Sequence, residues 1–223
     1  MASISLQGAD GFEFAAYEAK PQGDCKGAVV VIQEVFGVNS HIRSVVDGYA
    51  AEGYYAVAPA IFDRVETGVE LGYEGEDMQR GIDLAFNQLQ MPQTLADVQI
   101  AINHASAYGK VGVVGYCFGG LLTWLSACNL ENVTAASSYY GGGVPSQADM
   151  QPKCPIILHF GELDAHIPMD SVNDFIAKHP DLSVHIYNAD HGFNCDQRGS
   201  YDAASAKLAK ERTLALFDKE LTG

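Results

Sequence analysis

Residues 111–120 read V-G-V-V-G-Y-C-F-G-G. An apolar run over 111–114 stops at Gly115, Cys117 follows, and Gly119 and Gly120 lie just beyond it. A helix-compatible apolar stretch then covers 121–128. The pattern is strand, tight turn, helix. Gly-x-Cys-x-Gly is the thiol counterpart of Gly-x-Ser-x-Gly, in which a nucleophile sits on a strained strand-to-helix turn. The residues two positions either side must be small, so that strand and helix pass closely. A helix starting behind the thiol aims N–H groups and a positive dipole end at it, which favours a thiolate and an oxyanion. A cysteine after a strand is ordinarily a small buried hydrophobe, but a core cysteine has no need of flanking glycines. A dinucleotide-binding turn wants G-x-G-x-x-G with an acid about 20 residues on, and a P-loop wants Lys after its last Gly; neither spacing is present.

Outward from this turn, strands and helices alternate. Strands are expected over residues 3–7 and 12–18, around the turn Gly8-Ala9-Asp10-Gly11. Residues 28–33 (A-V-V-V-I-Q) form an apolar run suited to a strand buried on both faces. Ser40 reads as the N-cap of a helix to Glu52, closed by Gly53, and 54–58 as the next strand, stopped by Pro59. Residues 60–75 read as a long surface excursion. Helices are expected over 76–89 and 93–108, split at Pro92, with a capping-box-like start at Thr94 and Asp97 and a stop at Gly109. Beyond the central turn come strands 133–139, 155–160 and 182–187, and helices 168–179 and 201–221. The alternation predicts an α/β fold with a mostly parallel sheet, and function beyond the carboxyl ends of its strands.

At 223 residues, 48% of them hydrophobic, the expectation is one domain, residues 1–223, with a full core. No apolar run reaches membrane-spanning length, and the first residues carry no secretory pattern. A formal net charge of −15 argues against nucleic acid or an anionic membrane as partner. Five cysteines (25, 117, 128, 154, 195) are odd in number and form no C-x-x-C pair. Disulfides and structural zinc are therefore not expected, and a reducing, cytoplasmic compartment is.

A thiol nucleophile needs a base, and the base an orienting group. Of seven histidines, His41 and His104 fall within predicted helices, His179 ends one, and His159 and His185 lie inside strands. His166 is in a loop two residues past Asp164. His191 follows the last strand directly, with Gly192 free to turn the chain, and is the candidate base. Asp190 is adjacent in sequence, an awkward geometry. Asp164, after strand 155–160, is the candidate acid. The order Cys117, Asp164, His191 is nucleophile, acid, base, the order of α/β-hydrolases. Glu34 ends a buried strand, where a carboxylate is costly unless partnered; a solvent-facing acid is the equal alternative.

The motifs 33–39 (Q-E-V-F-G-V-N), 115–120 (G-Y-C-F-G-G) and 190–193 (D-H-G-F), with Y-D-A-A at 201–204, resemble the dienelactone hydrolase family. The likeness runs nearly end to end, as far as Glu211-Arg212-Thr213. It implies an α/β-hydrolase fold and a triad of Cys117, His191 and Asp164. It also implies that Glu34 meets the resting thiol until substrate displaces it, and that N–H groups at Val35 and Phe118 form an oxyanion hole. No metal or organic cofactor is implied. Of two family arginines that hold the substrate carboxylate, Arg80 matches one. The other position, four residues after the histidine, is Cys195, with Arg198 nearby but out of register, so the resemblance stops short of dienelactone itself.

Three functions compete on these residues: a cysteine hydrolase of a lactone or small ester, a non-catalytic ligand-binding member of the fold, and a thiol or redox protein using Cys117. An ordered triad favours the first, because binding alone has no need of it. A redox protein would want a resolving cysteine close by, and Cys128 is expected on the far side of a helix.

Overall fold

A computed structural model describes residues 2–222. One eight-stranded sheet runs in the order β1-β2-β4-β3-β5-β6-β7-β8. Its strands are β1 Ala2–Gln7, β2 Glu13–Ala19, β3 Ala28–Ile32, β4 Tyr55–Pro59, β5 Val111–Tyr116, β6 Val133–Tyr139, β7 Ile156–Gly161 and β8 Ser183–Tyr187. β3 to β8 pair in parallel, while β2 runs antiparallel to both β1 and β4. The helices are α1 Ser40–Ala51, α2 Gly75–Asp83, α3 Met91–Ala105, α4 Phe118–Asn129, α5 Met169–Lys178 and α6 Ala203–Leu221. This is the mostly parallel α/β sheet that the alternation predicts, in the α/β-hydrolase architecture that the resemblance implies.

β3, β4 and β5 are buried along their whole length. Continuous burial explains why their sequences are apolar runs rather than alternations: helices cover both faces of a parallel sheet. β1 alternates toward an exposed face and sits at the sheet edge.

Three local expectations change. Asn39, not Ser40, caps α1: its side chain accepts from the Ile42 N–H at 3.2 Å. The break between α2 and α3 comes at Leu89 and Gln90, after a π-helical turn over Leu84–Gln88, and Pro92 lies inside the first turn of α3. Proline is tolerated there because a first-turn N–H has no helical partner. Thr94 and Asp97 form no cap. Asp97 is buried and bound through both oxygens by Arg64, at 2.7 Å each.

The larger correction concerns residues 60–75. They do not lie wholly on the surface: Ile61, Phe62, Val69 and Leu71 are buried. The segment clamps the loop after β3. Leu71 N–H donates to the Phe36 carbonyl at 2.9 Å, and Gly37 bridges to Glu70. A Cβ on Gly37 would lie 1.8 Å from the Val69 carbonyl oxygen, and its φ is +80°. Only glycine fits this crossing. The crossing involves residues far apart in sequence, so periodicity could not reveal it.

Candidate active site

Cys117 stands between β5 and α4 with φ 55° and ψ −114°, a left-handed conformation rare for a side-chain-bearing residue. Its N–H donates to the Tyr139 carbonyl at 3.0 Å, and its own carbonyl accepts from Gly120 at 2.9 Å. The glycine spacing has a direct steric cause. A Cβ on Gly115 would sit 2.1 Å from the Gly119 carbonyl oxygen, and one on Gly119 would sit 2.3 Å from that of Ile32. β5, α4 and the end of β3 are therefore in backbone contact, and any side chain there would push the turn open.

His191 and Asp164 meet at the same edge of the sheet. Asp164 follows β7 and His191 follows β8. His191 Nδ1 lies 2.6 Å from Asp164 Oδ2. The other carboxylate oxygen accepts from the His166 N–H at 2.8 Å, so Asp164 is held from both sides. Burial disfavours the His191 imidazolium, but hydrogen bonds to Asp164 and to Cys117 outweigh it and push its pKa up to about 10. Burial would raise the Asp164 carboxyl; its bonds to His191 and the His166 N–H prevail and hold it below the usual range. A thiol, an imidazole and a carboxylate thus stand in line, which is the arrangement that can make a thiolate–imidazolium pair.

The sheet ends approach this line closely. A Cβ on Gly161 would meet the Ala189 carbonyl oxygen at 2.3 Å, so β7 must end in glycine for the His191 loop to cross it. Asp190 does not reach the ring; it accepts from the His191 N–H at 2.6 Å and shapes the turn. His166 stacks edge-on to His191 at 5.4 Å, and Tyr140 does so at 5.2 Å. Tyr140 has φ 35°, and its buried hydroxyl has no partner among the described residues. Burial and the neighbouring Glu34, Cys195 and Cys117 push its pKa far up, so it stays neutral. Nothing in its local sequence marks it; only the crossing of β6 behind Cys117 brings it here.

Val35 and Phe118 follow the ends of the neighbouring strands β3 and β5. Phe118 opens α4, where first-turn N–H groups lack helical acceptors. Val35 lies in the clamped loop after β3. Its carbonyl is so close to α2 that a Cβ on Gly81 would sit 2.1 Å from it.

Glu34 is 1% exposed, which removes the solvent-facing alternative. It does not hydrogen-bond the thiol. Its Oε1 accepts from Arg198 Nη1 at 3.3 Å. The guanidinium lies over the rings of Phe36 and Tyr73, at 5.6 and 5.9 Å. Arg198 was out of register by residue count, yet the chain brings it in. Turns at Gly192–Cys195 and Cys195–Arg198 fold the segment back on itself, with N–H donors at 2.9 and 3.1 Å. A Cβ on Gly192 would lie 2.4 Å from Arg198 Nη1, so the glycine after the histidine also makes room for this arginine. Cys195 is fully buried against Glu34, and its thiol is pushed up to about 11 by burial first and the carboxylate second.

Arg80 is not in this nest. It is half exposed on α2 and pairs with Glu66. His159, the strand histidine set aside from sequence, is fully buried and bonded to Tyr187 and Thr213 at 2.8 and 3.2 Å. Cys128 is buried at the other end of α4. No helix among the described residues is long and apolar enough to cross a membrane.

Known proteins align with this architecture over nearly its full length. A carboxymethylenebutenolidase of Pseudomonas putida is 34% identical over 221 residues, covering 95% of this chain and 93% of that protein. A Synechocystis sp. protein provisionally named a carboxymethylenebutenolidase is 37% identical over 231 residues, with 94% and 93% covered. A Klebsiella pneumoniae crystal structure, provisionally identified as a dienelactone hydrolase, superposes with a TM-score of 0.83 at 29% identity, covering 97% of this chain and 99% of that one. The model of the dienelactone hydrolase family matches residues 14–221. With strands β3 to β8, the cysteine turn and the closing helix inside that match, the chain belongs to the dienelactone hydrolase family.

Proposed function

We propose that the chain acts as one domain and hydrolyses a lactone or small carboxylic ester through an acyl-enzyme on Cys117. The observation that carries this reading is the line Asp164–His191–Cys117, with the thiol on a strained turn at the N-terminus of α4. The Cys117 thiolate adds to the carbonyl carbon, and the carbonyl electron pair moves onto oxygen. N–H groups at Val35 and Phe118 hold that oxyanion. The C–O bond then breaks, and the imidazolium of His191 gives its proton to the leaving oxygen. In a lactone this opens the ring and leaves the new hydroxyl tethered to the acyl group. His191, neutral again, takes a proton from water; the hydroxide adds, the C–S bond breaks, and the acid departs. Asp164 fixes the ring so that Nε2 faces the sulfur.

Glu34 is the control on this thiol in the same proposal. A carboxylate close to sulfur disfavours a second negative charge and keeps the resting thiol protonated. Turned away to Arg198, as it stands here, it leaves Cys117 to His191. With His191 already protonated from solvent, transfer of the thiol proton to Glu34 would couple substrate arrival to thiolate formation and limit oxidation of the free enzyme.

The substrate reading is supported by the names of the relatives and goes no finer than a lactone or small ester. An anionic substrate would need local positive charge in a chain of net charge −15. Arg80 is the proposed source, and Arg80→Ala should raise KM for carboxylated substrates more than for neutral esters; an equal effect assigns it to the surface pair with Glu66. Five cysteines, all free, suit a cytoplasmic setting. The central test is mass spectrometry with a slow aryl ester. One acyl adduct on Cys117 is expected, and Cys117→Ala should be inactive. An adduct on Cys195 with the alanine variant fully active would overturn the mechanism.

A further inference from the structure

Glu34 Oε2 and His41 Nε2 are both buried and have no hydrogen-bond partner among the described residues. A carboxylate oxygen of Glu34, a ring nitrogen of His41 and the Cys195 sulfur all lie within 4.8 Å of one another. Leaving two strong polar groups unsatisfied in one dry nest is costly, and each such group calls for an explanation. A cation does not explain them, because Arg198 already brings positive charge to Glu34.

The far side of His41 reaches water. Its Nδ1 lies 3.2 Å from Asp196 Oδ1. The His41 side chain is 4% exposed and that of Asp196 65%. Both line a cleft of about 380 Å³ between α1 and α6, which does not include Cys117 or His191. An exposed carboxylate, a buried imidazole and a buried carboxylate therefore run in series from solvent to Glu34. With Nδ1–H donating to Asp196, Nε2 is the acceptor and faces inward.

We infer that His41 is a positioning residue that relays a proton between Glu34 and solvent through Asp196. This rests on the reading of Glu34 as the acceptor of the Cys117 proton. Once Glu34 holds that proton, its Oε2–H bond breaks as Nε2–H forms on His41. The Nδ1–H bond breaks in turn, and Asp196 takes that proton and passes it to water. The ring is left as the Nε2–H tautomer. When turnover ends and the thiol is restored, a proton enters along the same path in reverse and the Nδ1–H tautomer returns. Charge balances in both directions, and no other reactant is consumed. A gap within 4.8 Å closes by rotation of Glu34 or through one bridging water.

The surroundings suit this task. Besides Glu34 and Asp196, His41 faces the Cys195 thiol and the Tyr116 ring, whose centroid is 6.5 Å away. Burial keeps both of these neutral, so neither competes for the proton. Lys207 and Lys210 face it only across the open cleft.

The cleft also supplies the test, because a small base can enter where the ring has been removed. With p-nitrophenyl acetate at neutral pH, His41→Ala should lower kcat about tenfold or more and leave KM unchanged. Imidazole should restore kcat, and thiazole, of like shape but far less basic, should not. In a Glu34→Gln background imidazole should restore nothing. Equal rescue by both azoles, no rescue, or rescue without Glu34 would each overturn the relay. Asp196→Asn, on an exposed side chain, keeps the question open to decision if the alanine variant does not fold. Its kcat should fall, and wild-type kcat would overturn the relay. The two readings separate cleanly. A fully active Glu34→Gln ends both, whereas a slow Glu34→Gln beside a fully active His41→Ala ends the relay alone.

Discussion

Arg198 Nη1 lies 3.3 Å from Glu34 Oε1, and the two side chains are 13% and 1% exposed. The pair joins the loop after β3 to the loop after β8, 164 residues apart. Breaking a buried pair leaves one charge uncompensated and costs about 3–5 kcal/mol. Arg198→Gln should destabilise the protein by roughly that amount in urea unfolding, and Glu34→Gln in the same chain should return much of it. Equal, additive losses in the single and double variants would show that the two side chains are not energetically coupled.

His191 and Asp164 make a pH-dependent contribution to stability with a defined sign. The histidine pKa is raised from 6.5 to about 10 in the folded state. Its contribution is therefore complete below about pH 6.5 and disappears as pH climbs to about 10. The Asp164 carboxyl is lowered, so its contribution is present above its ordinary value of 3.8 and is lost as pH falls through the lowered one. Asp164→Asn removes the second and the share of the first that comes from Asp164 rather than Cys117. The stability gap between wild type and this variant should be widest from about pH 4.5 to 6.5 and shrink steadily toward pH 10. Chemical denaturation across that range checks it; a gap that widens with pH would mean His191 is not held protonated by Asp164.

Gly81 touches no reacting atom, yet it sets the position of Val35. A Cβ there would come within 2.1 Å of the Val35 carbonyl oxygen, so loop or helix must move. Gly81→Ala should cost about 1–3 kcal/mol of stability. It should also lower kcat roughly 10- to 100-fold by displacing Val35, the proposed oxyanion donor. Wild-type kcat in a variant destabilised to that extent would remove Val35 from the oxyanion hole.

Cys117 occupies a conformation that glycine adopts without strain, φ 55° and ψ −114°. Cys117→Gly should unfold at higher urea, by about 1 kcal/mol, while losing all turnover. Cys117→Ala should be equally inactive without that gain, because alanine keeps the Cβ. Identical stabilities for the two variants would show that the turn stores no strain.

Local chemistry alone determines the centre of this molecule. Val111 to Val114 had to be a buried strand, and Gly115, Gly119 and Gly120 had to admit a tight turn, since backbones meet there at distances no side chain allows. Cys117, Asp164 and His191 were legible because each follows a strand, and parallel strands deliver their carboxyl ends to one edge. The clamp of residues 65–71 on Gly37, the arrival of Tyr140, and the pairing of Arg198 rather than Arg80 with the nest around Glu34 were not legible. The same holds for the approach of His41, a plain helix residue by periodicity, to Glu34. Patterns of two and 3.6 residues report which face of an element is buried, but not what it is buried against. Counting positions from His191 pointed to Cys195. Two consecutive turns, made possible by the left-handed Gly192, carried the charge to Arg198 instead. Hydrogen bonds within one turn or strand follow from neighbouring residues, whereas contacts between segments far apart exist only once the sheet has assembled and brought their loops together.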